Sequence, residues 1–308
     1  MKVIYMGTPD FAVPALKALV TGGYEVLAVI TQPDKPKGRG KAMQFPPVKE
    51  AALEYNIPVY QPTNVNDEES MQLFRTLNPD IIVVAAFGQV LKEELLNLPK
   101  YGCINIHASL LPKLRGAAPI QFAVIEGDKE AGVTIMKMAK GLDTGDMLSK
   151  VSIPLDKKET GGSLHDKLSK LGGELLMNTL TEIENNTITP VPQGEEYTYA
   201  GMLSKSMGDI DWTKDALTIE RLIRGLNPWP SAYTYLGEKM LKIWDADVDE
   251  TVTGEPGTIV DVNKKNFTVA TGNGGLVINS LQLQGKKRMD CDAFLRGVKL
   301  EAGKKLGR

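Results

Sequence analysis

The most apolar run of the chain, IIVVAA at Ile81 to Ala86, is bounded by polar turns. A continuous run of strand length reads as a parallel strand covered on both faces. Around it strands and helices alternate. Lys2 to Met6 predicts a short apolar strand, Gly7-Thr8-Pro9-Asp10 a turn, and Phe11 to Val20 keeps helical spacing until Gly22-Gly23 ends it. Tyr24 to Ile30 predicts a second strand, Val48 to Tyr55 a helix, and Pro58 to Tyr60 a short third strand. Asn66, followed by Glu69, predicts a capping box that opens a helix running to Leu77. Leu91 to Leu98 predicts the next crossover helix, and Val133 to Met138 alternates as a strand. Such repeats predict an α/β fold: a doubly wound, mostly parallel, Rossmann-like sheet with helices on both faces.

Beyond the helical stripe of Leu164, Leu168, Leu171 and Leu175 the texture changes. Asn185 to Gln193 reads NNTITPVPQ, polar and proline-containing. The expectation is a first domain over 1–188, a linker over 189–206 and a second domain over 207–308. In the second domain Ala216 to Gly225 predicts an amphipathic helix, broken by Asn227-Pro228-Trp229-Pro230. Short strand-like runs follow at Met240 to Trp244, Gly257 to Val262, Phe267 to Ala270 and Leu276 to Leu283. Short strands separated by glycine and charged turns suggest a small antiparallel barrel of the OB type.

A length of 308 residues suits two domains of this kind, since one domain takes about 100 to 200 residues. The formal net charge of -2 provides no whole-molecule attraction to nucleic acid or membrane, so a polyanionic partner must be met by a local patch. Two patches exist. The loop from Gln32 to Phe45 carries Lys35, Lys37, Arg39 and Lys41 against Asp34. After Gly285, Lys286, Lys287, Arg288, Arg296, Lys299, Lys304, Lys305 and Arg308 stand against Asp290, Asp292 and Glu301. Each is read either as solvated surface or as a grip on phosphates. Cys103 and Cys291 are too few for a disulfide framework and suit a reducing compartment, with Cys103 in a strand core. The amino-terminal apolar run stops at Gly7, and no stretch approaches the roughly 20 apolar residues of a membrane span. The expectation is a cytoplasmic protein with no membrane partner.

Candidate chemistry gathers in GCINIHASLLPKLRGAAP, Gly102 to Pro119. In an extended segment Asn105 and His107 point to the same side. That alternation fits a half-buried antiparallel strand with a polar face to water; it also fits an amide and an imidazole aimed into a cleft at a strand's carboxyl end. The continuation favours the cleft: Pro112 forbids a simple helix, Lys113, Arg115 and Gly116 form a basic turn, and helical spacing resumes at Ala117 to Val124. Asp143, between Gly141 and Gly145 after the Val133 strand, is read as a candidate acid or base, or as a turn-forming residue. Gly7 stands alone where a dinucleotide fingerprint needs three glycines, and GRGKA lacks the Walker spacing. His165 is read as a helix surface or boundary residue.

The set N-x-H-x-S-L-L-P, R-G-A-A-P-I and G-L-D-T-G-D resembles the folate-dependent formyltransferase family. The resemblance runs almost end to end, through MGTPDFAVPAL at 6–16, TQPDKPKGRGK at 31–41 and LNPWPSAYT at 226–234. It implies that Asn105, His107 and Asp143 are catalytic, and that Ser109, Leu110, Leu111 and Pro112 contact the folate. Phe87-Gly88 and the backbone of 139–143 would be additional walls. It further implies formyl transfer from 10-formyltetrahydrofolate to the α-amine of methionine esterified to initiator tRNA, without metal or covalent intermediate. Lys35, Lys37, Arg39 and Lys41, with an OB-like carboxyl-terminal domain, would then hold the tRNA. A monomer is expected. A small-amine formyltransferase would not need the basic loop and tail, and a non-catalytic folate- or RNA-binding protein would not need the triplet.

Overall fold

The computed structural model describes residues 1–37 and 42–307. Arg39, Lys41 and Arg308 lie outside the described residues, as does the side chain of Lys37. The chain divides into two compact units. The first comprises Met1–Pro119, Glu130–Pro154 and His165–Ala200; the second comprises Ile120–Lys129, Leu155–Leu164 and the chain from Gly201 onward. The division therefore runs through the stretch expected as a linker, and two short internal segments join the second unit.

The first unit is built on one sheet. Its spatial order is Met147–Pro154, Glu130–Lys137, Cys103–His107, Ile81–Ala85, Lys2–Gly7, Glu25–Ile30 and Val59–Tyr60. Pairing is parallel from Val59–Tyr60 across to Cys103–His107. The other edge is antiparallel, so the sheet is mixed. The Met147–Pro154 strand has no counterpart in the sequence reading, although every second residue from Lys150 on is exposed. Ile81–Ala85 is wholly buried, as a strand covered on both faces must be. The chain builds outward from Lys2–Gly7 in one direction, then returns to build from Ile81–Ala85 in the other. Between those two strands lies the switch point, and the carboxyl ends there, at Thr8, Ala86 and the neighbouring His107, border the crevice where such sheets bind ligands.

Two helix predictions need correction. The cap of Glu68–Leu77 is Asp67, whose Oδ1 accepts from the Ser70 amide at 2.8 Å. Asn66 is engaged elsewhere: its Nδ2 donates to the Val90 carbonyl at 2.8 Å and its Oδ1 accepts from the Lys92 amide at 2.7 Å. Those bonds fix the chain ahead of the helix, which starts only at Glu93; the expected Leu91 to Leu98 crossover is Glu93–Leu96. No helix among the described residues is long and apolar enough to cross a membrane.

The second unit is an antiparallel sheet in the order Ala232–Leu236, Lys239–Asp249, Gly275–Leu283, Phe267–Ala270 and Ile259–Val262. Phe267, Leu241, Ile278 and Leu281 from its inner face pack with Ile219 and Ile223 of the Ala216–Gly225 helix. Trp212 closes this core and donates its Nε1–H to Thr234 Oγ1 at 3.0 Å. No ladder among the described residues joins the two edge strands, so the sheet is not closed by strand pairing. The chain end spans that gap. Ile259 donates to the Lys304 carbonyl and Leu306 to that of Gly257, each at 2.8 Å, and Gly307 donates to Tyr235 on the opposite edge at 2.9 Å. The basic tail is thus stitched into the sheet, and Arg296, Lys299 and Lys305 are paired with Asp292, Glu301 and Glu255.

Candidate active site

The Cys103–His107 strand alternates as its residues dictate. Cys103, Ile104 and Ile106 are buried, while Asn105 and His107 share one face. The His107 ring lies in an interior position, with Nε2 3.0 Å from the Leu114 carbonyl oxygen. A carbonyl only accepts, so Nε2 carries the hydrogen. The other ring nitrogen, Nδ1, lies 3.6 Å from Asp143 Oδ2. The same Oδ2 accepts from the Gly116 amide at 2.9 Å, and Oδ1 is 3.5 Å from Asn105 Nδ2. Amide, imidazole and carboxylate thus converge at the carboxyl end of the strand. The side chains of His107 and Asp143 are 6% and 12% exposed, and in so dry a place charge interactions are stronger than in water.

The backbone is forced to deliver this arrangement. Leu114, which offers its carbonyl to His107, has φ 59°, and Asp143 has φ 52°. A side-chain-bearing residue adopts that left-handed conformation at a cost of order 1 kcal/mol. Ala86, after the central strand, is a third such residue at φ 46°. Strained positions therefore gather at the end of the sheet where the polar groups meet.

The expected folate loop is largely turned inward. Ser109 is 3% exposed and donates its hydroxyl to the Lys113 carbonyl at 2.6 Å. Leu111 is fully buried with Met136 and Met147. Thr134 Oγ1 ties the loop to the sheet, donating to the Ser109 carbonyl at 2.7 Å and accepting from the Leu111 amide at 3.1 Å. The side chains of Ser109 and Leu111 hold the loop's shape, while Leu110 and Pro112 are half-buried. Phe87 is also buried; its carbonyl accepts from Thr8 Oγ1 at 3.0 Å and Gln32 Nε2 at 3.2 Å.

The basic loop begins and ends as a hairpin, Lys35–Lys37 pairing with Ala42–Gln44. Its root is anchored. Asp34 accepts from Lys49 Nζ at 2.7 Å and from Gln61 Nε2 at 2.8 Å, and Lys49 lies 3.9 Å from the centre of the Phe45 ring. The Lys49 ammonium, and after it the Gln61 amide, hold the Asp34 carboxyl below its ordinary range.

Sequence reasoning missed the strap formed by Gln193 to Ala200. Arg115–Gly116, expected as a flexible turn, pairs in parallel with Tyr199–Ala200. Arg115 is only 9% exposed, with its guanidinium 4.4 Å from the centre of the Tyr197 ring. Thr198 Oγ1 accepts from the Leu114 amide at 2.9 Å, and Gln193 reaches the Asp143 loop. A ladder of two residues leaves no periodicity to read, and prolines beside polar residues resemble a connector.

The remaining candidates stand apart from the chemistry. His165 packs edge-on against Phe11 and faces Asp10 and Asp166. Burial pushes the Cys103 thiol up to about 12, which removes it as a nucleophile. Among the described residues no group of three or more His, Cys, Asp or Glu side chains is placed to hold a metal ion.

A family model described as formyl transferase matches residues 1–180, and one described as formyl transferase, C-terminal domain, matches 202–299. The curated methionyl-tRNA formyltransferase of Lachnospira eligens is 56% identical over 100% of both chains. That of Bacillus subtilis is 49% identical over 99% of this chain and 98% of its own. Among solved structures, HypX from Aquifex aeolicus in complex with tetrahydrofolic acid superposes at TM-score 0.63 and 16% identity, covering 98% of this chain and 48% of that one. WlaRD, a sugar 3N-formyl transferase in the presence of dTDP and 5-N-formyl-THF, superposes at 0.68 and 19% identity, covering 93% and 99%. At these identities the solved structures speak for the fold alone.

Proposed function

The chain belongs to the formyl transferase family, and we infer that it moves a formyl group from 10-formyltetrahydrofolate to the α-amine of methionine on initiator tRNA, the modification that precedes translation initiation. The observation that carries this reading is the convergence of Asn105, His107 and Asp143 beside the switch point of the sheet. Attack of the amine on the formyl carbon gives a tetrahedral centre whose carbonyl oxygen becomes an oxyanion. The attacking nitrogen must then lose a proton as the bond to N10 breaks and N10 gains one. Such a reaction calls for a donor at the oxyanion and a proton carrier, without a metal or a covalent enzyme intermediate.

Asn105 supplies the donor through its Nδ2 hydrogens. His107 receives the amine's proton at Nδ1, the nitrogen not tied to Leu114. Asp143 stands beside that nitrogen and stabilises the imidazolium, or relays the proton through water. Leu110 and Pro112, with backbone from 139–143 and the Phe87-Gly88 turn, form the folate walls. Lys35 and Lys37, with Arg39 and Lys41, meet tRNA phosphates from a hairpin whose root is anchored.

The second unit adds a second grip through the Lys286, Lys287 and Arg288 turn, away from the tail lysines already paired with acids. An OB-type barrel is our reading of it, supported by the chain end that spans the two sheet edges. A catalytic domain over 1–188 completed by the strap to Ala200, a tRNA-holding domain over 207–308, a monomeric state and a cytoplasmic location complete the proposal. The test supplies the protein with charged initiator tRNA, charged elongator methionine tRNA and the formyl donor. Formylmethionine on the initiator alone is expected; formylation of small free amines without tRNA would overturn the reading in favour of a small-amine enzyme.

A further inference from the structure

Gln193 lies on the strap, half-buried, with every hydrogen-bonding group of its amide in use. Its Nε2 donates to the carbonyls of Asp143 and Gly145, both at 2.8 Å. Its Oε1 accepts from Arg115 Nε at 2.9 Å. A guanidinium only donates, so Arg115 fixes which end of the amide faces which way, and the NH2 must point at the two carbonyls. Those carbonyls flank the turn in which Asp143 is left-handed, on a loop whose Ala139, Lys140, Gly141, Leu142 and Thr144 are exposed.

The other end of the circuit closes on the same carboxylate. Arg115 precedes Gly116, whose amide donates to Asp143 Oδ2, and follows Leu114, whose carbonyl holds His107 Nε2. The Leu114 amide is in turn held by Thr198 of the strap. One side-chain amide thus links the backbone that carries the acid to the segment that orients the imidazole.

We propose that Gln193 is a positioning residue for formyl transfer, setting the Asp143 carboxylate against His107 by clamping the 143–145 backbone to Arg115. The proposal rests on the functional reading above. Gln193 reaches the reaction through Asp143, so its loss lowers the rate of the chemical step more than it weakens either substrate.

The test uses the full-length protein, the formyl donor and charged initiator tRNA, with Gln193→Met, Gln193→Glu, Asp143→Asn and the double variant Asp143→Asn Gln193→Met. Displacement of a catalytic group by around 1 Å costs up to about 100-fold in rate. Gln193→Met is expected to lose about 10- to 100-fold in kcat on that scale, with both KM values within about threefold and an altered pH–rate profile. Gln193→Glu keeps the Arg115 contact but cannot donate to the carbonyls, so it is expected to be as slow as Gln193→Met. In single-turnover measurements with Asp143→Asn, adding Gln193→Met should cost less than about twofold, because the group to be positioned is gone.

A kcat unchanged in Gln193→Met, a normal rate in Gln193→Glu, or a full multiplicative loss in the double variant would each overturn the proposal. Should Gln193→Met fail to fold, Gln193→Glu and its combination with Asp143→Asn put the same questions. An unsubstituted protein that formylates no charged tRNA would instead refute the functional reading and leave no reaction for Gln193 to position.

Discussion

The two sheets deploy their charged and titratable side chains differently. At the carboxyl end of the parallel sheet, His107, Thr134 and Ser109 are buried and each is bonded inside the protein. The antiparallel sheet buries hydroxyls as well, Thr234 beside Trp212 among them, but its charged groups lie toward water: Asp245 and Asp247 share Lys158 and Asn279 at the surface. Parallel pairing aligns strand ends so that their loops meet over one edge, and the Asp143 loop, which leaves the antiparallel Glu130–Lys137 strand, folds back to join them; burial then strengthens whatever charge they bring. Antiparallel pairing with one packed face leaves the other for solvent, which suits a charged surface. The first arrangement draws polar groups out of water; the second leaves its charged groups solvated.

The largest blow to this contrast would fall on the antiparallel core. Phe267 is fully buried there, and Phe267→Ala is expected to lower the stability of that unit by about 3–5 kcal/mol. Denaturant unfolding followed by tryptophan fluorescence reads this, since Trp212, Trp229 and Trp244 all belong to that unit, and a loss below about 1 kcal/mol would mean that the core does not hold the sheet. Almost as large is Asn105→Ala, expected to reduce kcat about 100- to 1000-fold with the fold intact, the usual consequence of losing an oxyanion donor. Turnover equal to that of the unsubstituted protein would remove Asn105 from the chemistry.

A smaller effect separates chemistry from grip. Lys35→Ala and Lys37→Ala should each flatten the salt dependence of tRNA binding by about one unit of log–log slope, leaving the KM for the formyl donor alone. Tight binding that ignores salt would deny the hairpin any part in phosphate recognition. Smallest is the acid response of that hairpin's root. The Asp34 carboxyl is held low in the folded protein, so its contribution to stability is complete above the ordinary aspartate value of about 4 and fades as pH falls below it. Lys49→Met should therefore destabilise the protein at neutral pH, with the difference narrowing in melts near pH 3. A difference that widened with acid would reverse the assignment.

Part of the candidate site was legible as a local signal. Asn105 and His107 share a face through strand alternation alone, whereas Asp143 between its glycines reads equally as a turn residue, and only the motif resemblance joined it to them. The loop at Ser109 and Leu111 was legible but not the orientation of its side chains: a loop sequence does not say that Thr134 will hold the Ser109 carbonyl and the Leu111 amide against the sheet. The cap at Asp67 was missed by one residue because Asn66 and Asp67 are equally able caps, and the partners at Val90 and Lys92 that claimed Asn66 are 24 and 26 positions away.

Apolar periodicity, caps and turn residues depend on neighbours a few positions apart, and those alone were enough to lay down the alternating strands and helices and to put an amide and an imidazole on one strand face. Which carboxylate meets that imidazole, whether the stretch after Asn185 is a connector or a strap, and where the basic tail ends up depend on backbone groups brought together from far along the chain. Gln193 reaches Asp143 across 50 positions and Leu114 meets Thr198 across 84. No local pattern encodes such distances. They follow from buried polar groups needing partners, and only the packed sheet determines which partners are within reach.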